Sequence, residues 1–149
     1  AITATIEQVI RVCDLVVVPT RPSPHDLRAA GATVDLVENL GKPLVFVLNA
    51  ATPRARITAE AAIALSQHGT VAPVTIHHRT EYASSMIDGR TVMELAGNRR
   101  SVEEITGLWE YLADRLERCT RENGASGFAE LSAQGHVLAG YGGRARETA

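Results

Sequence analysis

The sequence predicts a parallel α/β fold in which helices cover both faces of a small sheet. Short runs rich in valine and leucine, at 15–18 and 44–48, show no polar alternation, which is typical of strands buried on both faces. Segments with apolar residues at helical spacing separate these runs, and this order favours βαβ units with right-handed crossovers. Because three predicted strands make a narrow sheet, we expect further strands outside this sequence.

Helices and strands alternate along most of the chain. The predicted helices lie at about 1–10, 24–40, 57–68, 81–87 and 101–119, and the predicted strands at 14–19, 43–49 and 71–76. Pro73 weakens the third strand, and Leu108, Trp109 and Leu112 are expected on the apolar face of the last helix. Residues 122–149 are rich in Gly, Ala and Ser and lack an apolar period. We therefore predict a domain at 1–121 and a flexible tail at 122–149.

Two serine–acid pairs have the spacing of a capping box. Ser23 and Asp26 flank Pro24, which suits the first helical position, and Ser101 and Glu104 precede the last predicted helix. Ser23 and Asp26, with the histidine between them, also contain the residue types of a hydrolytic triad. On one helical turn they face different directions, so the pattern indicates a cap and not a nucleophile.

Composition excludes several classes of protein. The formal net charge of −2 provides no global basic field, so binding to nucleic acid or to an anionic membrane would need a local patch. Cys13 and Cys119 have neither paired nor metal-type spacing, which suits a reducing cytoplasm. The apolar runs are too short to span a bilayer. The chain opens on Ala1 within a helical pattern, which favours a start in mid-domain.

Polar residues follow each predicted strand, at 20–21, 49–52 and 77–79. Open parallel sheets bind ligands at the carboxyl ends of their strands. The amide of Asn49 offers a donor and an acceptor together, which matches the edge of an adenine, although it could instead satisfy the backbone of its own loop. His77 and His78 are neighbours in an extended segment and would point to opposite faces, so no metal site is predicted.

Basic residues in loops and at helix starts permit two interpretations. Arg99 and Arg100 directly precede a helix whose N-terminal amides attract phosphate, so they could contact a DNA backbone or remain solvated surface. A phosphate loop is absent from the sequence, because Gly41 and Lys42 are followed by Pro43 instead of Ser or Thr. Without that loop, we do not expect this chain alone to hydrolyse ATP.

Several segments, in their order along the chain, resemble ParA-type partition ATPases of the deviant Walker class. They are DLVVVPTRPSPHDL at 14–27, VLN at 47–49 with Arg54, IHHRTEY at 76–82, GRTV at 89–92 and the closing helix at 101–116. The resemblance covers about 1–118 and corresponds to the C-terminal half of such a protein. It implies a Rossmann-like sheet of the P-loop NTPase type, incomplete here because the half that carries the catalytic residues is missing.

The resemblance also implies a function for the complete protein. Such a protein would use ATP and Mg²⁺, form a homodimer around the nucleotide, and bind non-specific DNA on the nucleoid in the cytoplasm. A centromere-binding, ParB-like partner would stimulate hydrolysis. The resemblance places nucleotide contacts at Asn49, His77, His78 and Arg79, and DNA contacts at Arg54, Arg99 and Arg100. His77 stands where many relatives carry proline, which implies different packing against the base.

Two alternatives remain open from the sequence. The first is a non-enzymatic α/β module that binds a partner or DNA without any dependence on nucleotide. The second is a membrane-associated ATPase resembling MinD, which would require a basic amphipathic C-terminal helix. The segment after Glu122 is rich in glycine and weakly charged, so the sequence favours a protein that does not act at membranes.

Overall fold

The computed structural model describes residues 4–95, 97 and 99–139 and has the predicted α/β architecture. The elements in chain order are α1 (Ala4–Val12), β1 (Val16–Thr20), α2 (Pro24–Asn39), β2 (Leu44–Leu48), α3 (Arg56–Ser66), β3 (Thr70–Val71), α4 (Thr80–Ser84) and α5 (Arg99–Ala139), with 3₁₀ turns at Ser85–Asp88 and Val92–Glu94. The three strands are parallel and lie in the order β1-β2-β3. The sheet therefore has the parallel pairing that the unalternating strands predict.

The two faces of the sheet have different covers. On one face, helices α2 and α3 enclose a cluster whose buried members are Val34, Phe46, Leu48, Ala61 and Leu65. On the other, α5 and Tyr82 pack over a second cluster with buried members Val45, Val47, Ala72 and Ile76. Each strand residue of β2 after the first is buried, which explains its apolar run.

Helix α5 covers its face of the sheet only in part. Val17 and Pro19 of β1 pair in register with Val45 and Val47 of β2, so all four point to the α5 face. Val45 is fully buried, whereas Val17 is 39% exposed. The uncovered part of β1 forms one wall of a groove beside α5, and this groove is the candidate site.

The start of α2 confirms Ser23 as the predicted N-cap, but the predicted capping box is incomplete, because the Ser23 backbone N–H donates to the Arg21 carbonyl at 2.8 Å and not to Asp26. The Ser23 side chain accepts a hydrogen bond from the backbone N–H of Asp26, and Pro24 occupies the first turn. The Ser23 hydroxyl also donates to the Asp26 carboxylate. Gly41, just past the end of the helix, has φ +62°, a left-handed conformation that glycine adopts without strain.

The third strand is much shorter than predicted. Only Thr70 and Val71 form regular strand. The Ala72 N–H still donates to the Phe46 carbonyl at 2.8 Å, but the chain then leaves the regular register around Pro73. The chain rejoins the sheet beyond the proline, where the Ile76 N–H donates to the Leu48 carbonyl at 2.9 Å and His77 bridges to Ala51. This rejoined segment brings the histidines to the carboxyl edge.

Helix α5 also differs from its prediction at both ends. It begins at Arg99 instead of Ser101, and its backbone stays helical to Ala139, past the predicted end near Cys119. The segment after Cys119 contains no proline that would stop a helix, so the helix runs into the segment predicted as a tail. Residues 140–149 lie outside the described residues. Trp109 does not join the apolar face as predicted, because it is 71% exposed.

Candidate functional site

The carboxyl edge of the sheet opens into an apolar groove of about 410 Å³. Its lining consists of Val17, Pro19, Val47, Asn49, Ala50, Ile76, His77, His78, Tyr82, Ile105 and Leu108. The strands, the loop after β2, α4 and α5 all contribute, and the volume falls within the range of roughly 300–1,000 Å³ that suits small ligands. The groove thus combines apolar walls with a few polar groups at one end.

Three of the four predicted nucleotide-contacting residues meet at this groove. Asn49, His77 and His78 all line it, because the Ala51–His77 bridge sets the loop after β2 beside the segment after β3. Asn49 and His78 are not buried, and the side chain of His77 is 28% exposed. The polar ends of neighbouring parallel strands therefore converge as predicted.

Asn49 has the local bond that its alternative interpretation predicts. Its Oδ1 accepts a hydrogen bond at 2.9 Å from the backbone N–H of Ala50, which has φ +51°. A non-glycine residue in that region is strained by about 1–3 kcal/mol and persists only when its surroundings hold it there. The bond engages the amide oxygen and leaves the role of the amide nitrogen at the groove as a prediction.

The fourth residue, Arg79, turns to a carboxylate on α5. Its guanidinium Nη2 donates to Glu104 Oε1 at 2.6 Å, and its side chain is 19% exposed. The same carboxylate accepts from the His77 backbone N–H at 3.1 Å and from the Tyr82 hydroxyl at 3.1 Å, and its Oε1 lies 2.8 Å from His77 Nδ1. An ionised carboxylate can only accept, so His77 carries its proton on Nδ1 in this arrangement.

The environment of Glu104 strongly favours its ionised form. Burial acts to raise its pKa, but hydrogen bonds from Arg79, His77 and Tyr82 outweigh burial and lower the pKa from 4.5 to about 2. For Tyr82, burial and the neighbouring Glu104 charge raise the pKa. Glu104 is therefore a charged group that three residues between positions 77 and 82 hold in place.

A second, polar pocket of about 310 Å³ lies at the start of α5. Arg79, Glu81, Gly97, Arg99, Arg100 and Ser101 line this arginine pocket. Arg99 and Arg100 are exposed, as the DNA-contact interpretation requires. Ser101 is only 1% exposed, and its Oγ has no hydrogen-bond partner among the described residues. The first turn of a helix also presents free backbone N–H groups, so the pocket has the chemistry of an anion site.

Arg54 lies apart from these groups. It is exposed on the loop between β2 and α3 with φ +60°, and it lines neither the apolar groove nor the arginine pocket. The structure thus brings Arg79, Arg99 and Arg100 together and leaves Arg54 as a separate surface residue.

Glu104 is the residue that sequence reasoning misplaced. The predicted capping box with Ser101 is wrong, because α5 begins two residues earlier and Glu104 turns to the segment after β3. Its partners His77 and Arg79 lie 27 and 25 residues away along the chain. A fixed local spacing could not reveal that contact, although a basic pair after a strand is a signal that an acid could lie opposite.

Comparison with known proteins gives one distant match. No family model matches the chain. The maintenance of carboxysome distribution protein A of Halothiobacillus neapolitanus is 28% identical in an alignment of 98 residues that covers 62% of this chain and 45% of that protein. The match supports a distant, ParA-like kinship. The chain thus spans less than half the length of the curated relative it matches.

Within 4–95, 97 and 99–139, no group of three or more His, Cys, Asp or Glu side chains is placed to hold a metal ion. Over the same residues, no helix has the length and apolar character needed to cross a bilayer.

Proposed function

We propose that this chain is the C-terminal portion of a ParA-like DNA-partitioning ATPase and that it supplies the adenine side of the nucleotide site. The observation that carries the proposal is the convergence of Asn49, His77 and His78 at one apolar groove on the carboxyl edge of the sheet. An adenine is a flat apolar ring with a polar edge, so apolar walls beside an amide suit it. The distant match over 98 residues adds support for the family.

In this proposal the complete protein binds ATP with Mg²⁺ and dimerises around it. The phosphate loop and the metal-holding acid belong to the part of the protein outside this sequence. This chain would orient the base through Asn49 and the 77–79 segment, and the groove walls would exclude water from the ring. When bound, ATP supplies the phosphoryl chemistry, whereas the residues here contribute binding and orientation only.

The same proposal assigns DNA binding to the arginine pocket. Arg99 and Arg100 are exposed at the start of α5, where backbone N–H groups and cationic side chains can meet phosphates. The resemblance implies that the complete protein binds non-specific DNA on the nucleoid and forms a homodimer. It also implies a ParB-like partner that stimulates hydrolysis. Arg54 would contribute to the DNA or dimer surface at a distance from this pocket.

The adenine role is tested by Asn49→Ala in the full-length protein, with ATP affinity as the measurement. We expect a roughly tenfold loss, since a polar contact to the base would be removed. Asn39→Ala, at the exposed end of α2, removes the same side chain far from the groove and should leave the affinity unchanged. Equal affinities for the two variants would contradict the adenine role of Asn49.

The DNA role is tested by reversing Arg99 and Arg100 to glutamate together. Affinity for non-specific DNA in the presence of ATP should fall, and its dependence on salt should weaken by about 0.9 in log–log slope for each phosphate that the protein no longer neutralises. Reversing Arg28 and Lys42 makes the same change of charge elsewhere on the surface. An unchanged slope in the Arg99/Arg100 variant would show that DNA binds a different surface.

A further experiment separates this proposal from a nucleotide-independent binding module. A large excess of ATP should raise the melting temperature of the full-length protein, because a ligand stabilises the state that binds it. A module that works without nucleotide would melt at the same temperature with and without ATP.

A further inference from the structure

Glu104 connects the two pockets of the proposed site. Of its partners, His77 and Tyr82 line the apolar groove, whereas Arg79 lines the arginine pocket. Both carboxylate oxygens are used: Oε1 accepts from Arg79 and lies beside His77 Nδ1, while Oε2 accepts from the His77 N–H and from Tyr82. One side chain on α5 therefore holds residues from both pockets at once.

Arg79 is the member of the arginine pocket whose charge is already engaged. Its guanidinium forms an ion pair with Glu104 at 2.6 Å, and its side chain is only 19% exposed. Arg99 and Arg100 are exposed in the same pocket, so they can reach a phosphate without breaking such a pair. The pocket thus contains three arginines, and Arg79 is paired within the fold.

We infer that Glu104 is a positioning residue that ties Arg79, and with it the base-facing segment 77–79, to α5 and withholds the Arg79 charge from phosphate at the arginine pocket. This inference rests on the proposed function, because it concerns how the nucleotide and DNA surfaces share one arginine. The contacts made by Glu104 fix the backbone at His77 and the direction of Arg79 together. Removal of its charge should therefore loosen the base-facing segment and release a cation to the arginine pocket.

The deciding experiment is Glu104→Gln in the full-length protein, which keeps the size of the side chain and removes its charge. We expect ATP affinity to fall roughly tenfold, since charge-assisted bonds to the base-facing segment are weakened. The ratio of the affinity for ATP to the affinity for GTP should move closer to one, because the segment that faces the base is held less firmly. At saturating ATP, the salt slope of DNA binding should steepen by about 0.9, as Arg79 neutralises one more phosphate.

Opposite changes at the two sites separate positioning from simple structural support. General destabilisation would weaken ATP and DNA binding together and leave the ATP-to-GTP ratio unchanged, and that outcome overturns the inference. A change at only one of the two sites overturns it as well. Glu103→Gln, on the exposed side of the same turn, is the matched control and should change neither binding nor salt slope.

Arg79→Ala provides a second test that does not depend on the stability of the Glu104 variant. It should weaken ATP binding, because the base-facing segment loses a bond to α5. At saturating ATP it should retain the wild-type salt slope for DNA, since the paired Arg79 contacts no phosphate. A slope reduced by about 0.9 would mean that Arg79 already binds phosphate, and the inference would fall. If the wild-type protein binds neither ATP nor DNA, the proposed function itself fails.

Discussion

The starts of α2 and α5 carry the same serine–acid pattern and use it in opposite ways. At α2, Ser23 caps the helix and its hydroxyl binds the acid three residues later. At α5, Ser101 lies inside the helix, its Oγ has no partner among the described residues, and Glu104 binds residues of another segment. The same local pattern therefore does not determine the same contacts, because α5 begins two residues before Ser101 and its acid binds residues of another segment.

The two acids also differ in burial, and this difference sets the size of the effects that we expect from substitution. Asp26 binds Ser23 and an exposed arginine, and hydrogen bonds from these two groups lower its pKa. Glu104 is 14% exposed and bonded to three residues. Substitution of Glu104 should therefore lower the free energy of unfolding by more than substitution at the α2 cap.

The largest effect is expected from Glu104→Ala. It leaves the partly buried guanidinium of Arg79 and the hydroxyl of Tyr82 without their partner, so the free energy of unfolding should fall by about 3 kcal/mol. Urea denaturation of the full-length protein provides the measurement, and Glu103→Ala is the exposed control. Similar losses in the two variants would show that the α5 acid has no greater structural role than its neighbour.

The next effect is the dependence of stability on pH. Because the folded pKa of Glu104 is about 2 and lies below its ordinary value of 4.5, its contribution is fully present above pH 4.5 and is lost as the pH falls towards 2. After an allowance for solvent screening, we expect about 2 kcal/mol from this group. Glu104→Gln should flatten the stability profile in that window, and an unchanged profile would contradict the lowered pKa.

A smaller loss is expected from Ser23→Ala at the α2 cap. The N–H of Asp26 would lose its side-chain acceptor, which costs about 1 kcal/mol at a typical helix N-terminus. Ser84→Ala is a suitable control because Ser84 is exposed and its hydrogen bond to Glu81 is long, at 3.4 Å. If thermal unfolding shows a lower melting temperature for Ser84→Ala than for Ser23→Ala, the Ser23 cap does not contribute the expected stability.

The smallest effect is expected from Ser101→Ala. Its buried hydroxyl has no partner to lose among the described residues, so the substitution should be neutral or stabilise the fold by up to about 1 kcal/mol. Ser85 is a similarly buried serine whose hydroxyl donates to the Tyr82 carbonyl at 3.2 Å, and Ser85→Ala should therefore destabilise. Equal losses at the two serines would indicate that Ser101 has a partner in solution.

Local patterns were sufficient to predict much of the fold. The apolar run at 44–48 became β2, the Ser23 pattern became a cap, and Gly41 took the left-handed conformation expected after a helix. These features depend on residues within a few positions of one another. The division of the chain at residue 121 and the nature of the tail stay predictions.

Features that depend on distant contacts were not predictable in the same way. The rejoining of the chain after Pro73 depends on pairing with the end of β2, and no local spacing encodes that pairing. At the site, parallel strand order is enough to predict that Asn49 and His77 converge. The contact between Arg79 and Glu104 could not be predicted, because it depends on where α5 packs against the sheet.

Pro73, just past β3, should also limit pairing between this edge of the sheet and strands of other molecules. β3 lies at one edge of the sheet, and edge strands with free N–H and C=O groups can recruit strands from other molecules. With two residues of regular strand before an interruption at Pro73, this edge offers little to pair with. We therefore expect Pro73 to reduce aggregation through the β3 edge of the sheet.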